Sequence, residues 1–217
     1  MTSMYQPDFF QENDRDRLAA LAREIQFGCI VTGEGASLNA THAPCVIRQD
    51  GDDLFVEFHV AKGNRHWQID PDAPTVAIFQ GDQSYIHPGW YPTKAETGKV
   101  VPTWTYVTVH MHGRLEPITD AGELERHLVD LTAHNEESQP EPWAVSDAPR
   151  PYTERMMAAI VGMRLRVERA EGALKLNQHK SEPDRTGVIA GLRESGPLAA
   201  RVADRMDRAG RGPGDLA

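Results

Sequence analysis

The run Thr103-Trp104-Thr105-Tyr106-Val107-Thr108-Val109-His110-Met111-His112 alternates without interruption from Trp104 onward. As a strand it places Trp104, Tyr106, Thr108, His110 and His112 on one face and Thr105, Val107, Val109 and Met111 on the other. One face is apolar and closes a core. The other carries rings with polar tips, which suits a surface that holds a flat ligand or a second subunit; a cross-strand aromatic ladder is the plainer alternative.

Around this strand, further strands are predicted at 29–32, 40–48, 54–60, 75–80, 84–86 and 163–170. Turn chemistry such as Gln49-Asp50-Gly51-Asp52 and Pro71-Asp72-Ala73-Pro74 separates them. Asn13 or Asp14 caps a helix carrying Leu18, Leu21, Ala22 and Ile25 at the helical period, with Gly28 as its stop, and that helix is expected to lie across a sheet. Asp120-Ala121-Gly122-Glu123 has the form of a capping box before Leu124, Leu128 and Leu131, and Pro151 opens another helix with Met156 and Ile160. The class is mainly β with flanking helices (α+β), and short strands at this spacing favour a barrel or sandwich.

A chain of 217 residues can bury a proper core without disulfides. Cys29 and Cys45 each sit in an apolar run, outside any Cys-x-x-Cys pair, and read as buried free thiols of a reducing compartment. With no secretory leader and no apolar run of spanning length, the expectation is a soluble, cytoplasmic protein without membrane contact. Nine histidines show no zinc spacing, and no triad order, paired-carboxylate motif or Gly-rich nucleotide fingerprint stands out. Neither a metal nor a catalytic residue is expected.

The net charge of −9 is uneven: residues 1–162 hold 12 Lys+Arg against 24 Asp+Glu, whereas 163–211 hold 11 against 7. An acidic body repels a phosphate backbone, so direct DNA binding is disfavoured and any such surface would lie in the tail or on an assembled oligomer. There, 186–193 and 197–209 outline two helices joined by Glu194-Ser195-Gly196, with Arg201, Arg205 and Arg208 on the second. That outline is shared with a helix-turn-helix. Gly187 and Gly191 weaken the first helix, Asp204 and Asp207 offset the arginines, and no third helix supports the pair. A C-terminal helix packing Leu198 and Val202 on the barrel is the preferred reading.

The ordered segments Met4-Tyr5-Gln6-Pro7, Ala40-Thr41-His42-Ala43-Pro44, His59-Val60-Ala61-Lys62-Gly63-Asn64, Phe79-Gln80-Gly81, Trp90-Tyr91-Pro92, Lys99-Val100-Val101-Pro102-Thr103-Trp104, Pro142-Trp143-Ala144-Val145 and Lys175-Leu176-Asn177-Gln178 resemble the PaiB-type, FMN-binding negative transcriptional regulators. The resemblance runs over about residues 4–192. It implies an FMN-binding split β-barrel of Greek-key type over 1–192 with helices inserted at about 120–162, followed by a C-terminal helix and flexible tail at 193–217. It also implies a homodimer with FMN at the subunit interface and a regulatory role; the acidic charge balance makes the expected role an indirect one, through a small molecule at the flavin or a protein partner.

Cofactor-binding positions implied by the resemblance are Thr41, His42, His59, Ala61, Lys62, Asn64, Lys99, Thr103, Trp104, Lys175 and Gln178. Flavin phosphate needs cations or backbone N–H groups. Lys62, at the end of the strand that carries His59, is the first choice for that contact and His59 the second. The family's Ala-Arg-Ala-Asn-Pro reads here Ala61-Lys62-Gly63-Asn64-Arg65, a point charge in place of a forked guanidinium. The alternative function is a flavin-dependent oxidoreductase with Trp90, Tyr91 and Trp104 as its substrate wall, and the third a haem-binding or haem-degrading protein.

Overall fold

A computed structural model describes residues 4–209. Its strands and helices are β1 (Gln11–Glu12), α1 (Arg15–Ile25), β2 (Phe27–Glu34), β3 (Ser37–Pro44), β4 (Val46–Asp50), β5 (Asp53–Ala61), β6 (Thr75–Ile86), α2 (Thr93–Thr97), β7 (Thr103–Ile118), α3 (Ala121–Glu136), α4 (Arg150–Met157), β8 (Ile160–Lys175), α5 (Glu182–Glu194) and α6 (Pro197–Ala209). The eight strands form one mainly antiparallel sheet in the order β3-β2-β6-β7-β8-β5-β4, with β1 paired to β8. The mainly-β class with flanking helices is borne out. No described helix is long and apolar enough to cross a membrane. The flexible tail expected beyond residue 209 lies outside the described residues.

Strand β7 has the predicted faces. Thr105, Val107, Val109 and Met111 are buried, and Trp104, Tyr106, Thr108, His110 and His112 are not. The strand continues to Ile118, past Gly113, where a Cβ would collide with the backbone carbonyl of Arg166 on β8, so only glycine permits the approach.

Several elements run a few residues longer than expected, and four boundaries are redrawn. Gly28 does not end α1; Gln26 does, at φ 59, and Gly28 lies in β2 with its missing Cβ facing the Phe79 ring at 3.0 Å. The strand expected at 40–48 is two strands. Cys45 donates its N–H to Gln26 O (2.9 Å), and the chain changes partner there, β3 pairing β2 and β4 pairing β5. Conversely 75–80 and 84–86 are a single strand, because Asp82, a turn former on its own, is held by Arg201 at 2.9 Å and Arg205 at 3.0 Å. Ile160 belongs to β8 rather than to the helix that Pro151 helps to open.

By contacts the chain forms two units, and β6, β7 and β8 each contribute residues to both. The first takes Gln80–Val109 with the described residues of Met1–Leu21 and Glu171–Ala217; the second is Ala22–Phe79 with His110–Ala170. The first unit's core joins Leu18, Ile86, Val107 and Leu176 to Val188, Leu192, Val202 and Met206 of the C-terminal helices. Gly187 and Gly191, read as helix-weakening, are where α5 meets Trp90: a Cβ at Gly187 would strike its carbonyl, and one at Gly191 its indole. Trp90 packs against α5 while staying partly exposed, and Tyr91 is buried and does not stand in an open substrate wall. Leu198 is 74% exposed and does not pack, while Val202 does. In the second unit Ile30, Leu54, Val56, Phe58, Phe79, Met111, Leu115 and Leu165 are all but fully buried.

Candidate functional site

The predicted cofactor positions divide between the units: Thr41, His42, His59, Ala61, Lys62 and Asn64 lie in the second, and Lys99, Thr103, Trp104, Lys175 and Gln178 in the first.

In the second unit the organising element is β5, whose alternation buries Leu54, Val56, Phe58 and Val60 on one side. On its other side Glu57 is fully buried. It survives there because Arg48 reaches it at 3.1 Å from β4 and Arg164 at 2.8 Å from its register partner position on β8. Burial of a carboxylate demands such pairing. Helix α3 lays Glu123, His127 and Asp130 over these cations: Glu123 meets Arg164 at 3.1 Å, which holds its carboxyl below the usual range, and Asp130 meets Arg48 at 2.5 Å. His127 Nε2 lies 3.1 Å from His59 Nδ1. Burial lowers both imidazole pKa values, that of His127 to about 4 with the neighbouring His59 adding to the effect, so the pair is neutral at pH 7.

Beyond His59 the strand ends in a turn held by a chain of hydrogen bonds. Asn64 Oδ1 accepts from the His66 N–H (3.0 Å) and so caps the 3-10 turn at Arg65–Gln68, while its Nδ2 donates to Thr41 Oγ1 (3.0 Å). The His66 ring joins Thr41 Oγ1 at 2.8 Å to Thr32 Oγ1 at 2.9 Å, and Thr32 continues to Thr75 at 2.7 Å. Asn64 and Thr41 thus build the turn that presents Lys62. The Lys62 N–H donates to Ala159 O, and its carbonyl accepts from Trp67 Nε1, so its backbone is pinned on both sides. The side chains of Lys62 and Arg65 are exposed and make no hydrogen bond or ion pair among the described residues. Gly63 between them has nothing within 4 Å of its Cβ position. His42 is exposed and stacks on Phe27 at 6.3 Å.

Beside this turn, α3, α4 and the segment between them roof an apolar cavity of about 430 Å³ lined by His59, Ala61, Leu128, Thr132, Trp143, Val145, Ala148, Tyr152, Thr153, Met156, Met157, Ala159 and Ile160. His59 and Ala61 therefore face this cavity, whereas Lys62 faces open space.

In the first unit Lys175 Nζ donates to Thr103 Oγ1 (2.9 Å) and lies 5.7 Å from the Tyr106 ring centre. The Thr105 hydroxyl closes the same pair of strands on Lys175 O. Gln178 is occupied by the backbone: Oε1 accepts from the Leu176 N–H (2.8 Å) and Nε2 donates to the carbonyls of Phe9 and Leu174. Trp104 is 54% exposed and meets Tyr85 edge-on at 6.3 Å. The Lys99 side chain is exposed.

Sequence reasoning missed Arg65 and His127. The first was signalled by arginine standing where proline is usual. The second was hidden in an apolar stripe, although Glu123, His127 and Asp130 share a helical face by their spacing. Cys45 is buried as expected, its thiol pushed up to about 12 by burial, whereas Cys29 is only half-buried.

Residues 4–169 match the family described as "Putative FMN-binding domain". The chain belongs to this FMN-binding family. Its cofactor is FMN, as the sequence suggested. Across its length it is 30% identical to the "Protease synthase and sporulation protein PAI 2" of Bacillus subtilis, over 94% of this chain and 97% of that protein. Among solved structures it is similar to the flavocytochrome from Azotobacter vinelandii (TM-score 0.55, 15% identity, 85% of this chain and 78% of that one). It is also similar to a conserved hypothetical protein from Mycobacterium tuberculosis (TM-score 0.56, 14% identity, 82% and 95%). These likenesses support the split-barrel fold.

Proposed function

We propose that the chain is an FMN-binding homodimer that acts as a negative transcriptional regulator of the PaiB type, with the flavin phosphate held at Lys62 and Arg65. The observation that carries the phosphate assignment is the pair of unengaged cations flanking Gly63 on a turn whose backbone is fixed by the Asn64, Thr41 and His66 hydrogen bonds. That donor set suits a dianion: two positive side chains beside open space, on a frame that does not have to reorganise to receive it. Arg65 supplies the fork that the lysine lacks. FMN brings a redox-active, light-absorbing ring, and this chain's residues hold and orient it.

Regulation is indirect in this reading. Arg201 and Arg205 are tied to Asp82, and Arg193 to Asp204 and Asp207, so these C-terminal arginines are neutralised within the chain. A net charge of −9 adds to the repulsion of a phosphate backbone. The purified protein should sediment at about twice 24.1 kDa and carry flavin bands in its visible spectrum. It should show no sequence-selective shift of promoter DNA in about 150 mM salt. A selective nanomolar shift that disappears on truncation after Leu192 would overturn the indirect reading.

A further inference from the structure

We infer that the apolar cavity beside His59 binds an uncharged aromatic molecule bearing a hydrogen-bond acceptor such as a carbonyl oxygen, and that it does so while FMN is bound. Simultaneous occupancy rests on the placement of FMN phosphate at Lys62.

About 430 Å³ lies within the range of small-molecule sites. No Lys, Arg, Asp or Glu lines it, so a charged ligand would lose its hydration without compensation. Trp143 and Tyr152 offer ring faces, and Met156 and Met157 offer flexible thioethers that adapt to a flat guest. The hydroxyl of Thr153 already donates to Arg150 O. His59 is different, because a buried partner orients it.

The tautomer follows from that partner. His127 Nδ1 is buried and has no hydrogen-bond partner among the described residues, and a bare lone pair is tolerated there more readily than a stranded N–H. The His127 proton therefore sits on Nε2 and is donated to His59 Nδ1 at 3.1 Å. The proton of His59 is then on Nε2, and because His59 lines the cavity with its Nδ1 engaged by His127, we take this N–H as the donor offered to a guest.

The probe is 1-tetralone, a neutral aromatic ketone, with tetralin as its carbonyl-free counterpart, read on full-length protein labelled at the methionine methyl carbons. Tetralone should move the Met156 and Met157 signals, leave Met206 of α6 unmoved, and bind about fivefold more tightly than tetralin, as one hydrogen bond allows. The His59→Phe variant should bind both equally. Thr132→Trp should fill the cavity and abolish the shifts, and Ala148→Trp provides the same block from another wall should the first variant misfold. In protein saturated with FMN the shifts should persist.

Equal binding of the two probes to the unaltered protein, Met206 moving in parallel, or indifference to both filling variants would overturn the site. Shifts of Met156 and Met157 on raising protein concentration alone would assign the cavity to a second copy of the chain instead. Competitive loss of tetralone as FMN is added would assign it to the flavin. Absence of any flavin binding, judged by absorbance, would remove simultaneous occupancy and the phosphate assignment while leaving the tetralone shifts to decide the cavity.

Discussion

At the end of β5 the hydrogen-bonding side chains turn inward and the cations outward, whereas at the start of β7 the cation turns onto its own neighbours and the indole outward. Asn64, Thr41 and His66 are engaged with one another, leaving Lys62 and Arg65 free. Lys175 is engaged by Thr103 and the Tyr106 ring, leaving Trp104 exposed. The first arrangement has the chemistry to suit negative charge, and the second the chemistry to suit a flat ring. The frames differ in kind as well: buried ion pairs support β5, whereas neutral side chain to backbone bonds at Gln178 support the end of β8.

Removing the charged frame should have the largest effect. Glu57→Ala leaves Arg48 with Asp130 alone and Arg164 with Glu123 alone, and should cost about 3–4 kcal/mol in urea unfolding. Acid should act on the same region. The folded-state pKa of His127, near 4, lies below its ordinary 6.5, so the unfolded chain binds the proton first. Stability contributed by the neutral imidazole is complete above pH 6.5, declines as pH falls toward 4 and levels off below it, a loss of about 3 kcal/mol. Urea midpoints at pH 7, 5 and 4 for the protein and a His127→Gln variant check it; parallel profiles would refute the assignment.

Ligand binding sharpens the contrast. Lys62→Glu should weaken FMN at least about tenfold in fluorescence titrations and change riboflavin little, the difference shrinking in high salt. Trp104→Ala should weaken FMN and riboflavin alike, by about fivefold, because a ring contact is blind to the phosphate. Equal losses in Lys62→Glu would remove that lysine from the phosphate. Gln178→Ala should cost about 1 kcal/mol of stability, because the N–H of buried Leu176 and the carbonyls of Leu174 and Phe9 lose their side-chain partner.

Periodicity carried much of the fold. The faces of β7 and β5, the Asp120 cap on α3, whose Oδ1 accepts from the Glu123 N–H at 2.8 Å, and the two C-terminal helices were all legible, because local hydrogen bonding and alternation are properties of adjacent residues. Partner changes were less so. Nothing adjacent to Cys45 announces that β3 and β4 pair with different strands, and Asp82 reads as a turn until Arg201 and Arg205 are brought to it.

The sequence by itself determined which residues alternate, which helices begin where, that the surface is acidic, and that Lys62 stands at a strand end in an FMN-binding family. Only the tertiary structure decided what each polar group does. It joined Glu57 to Arg48 and Arg164, turned Thr41, Asn64 and Gln178 into framework, released Lys62 and Arg65, and placed His127 behind His59 at the wall of a cavity. The physical reason is range: backbone preferences act over a few residues, but whether a side chain is engaged or free depends on partners that folding brings from far along the chain.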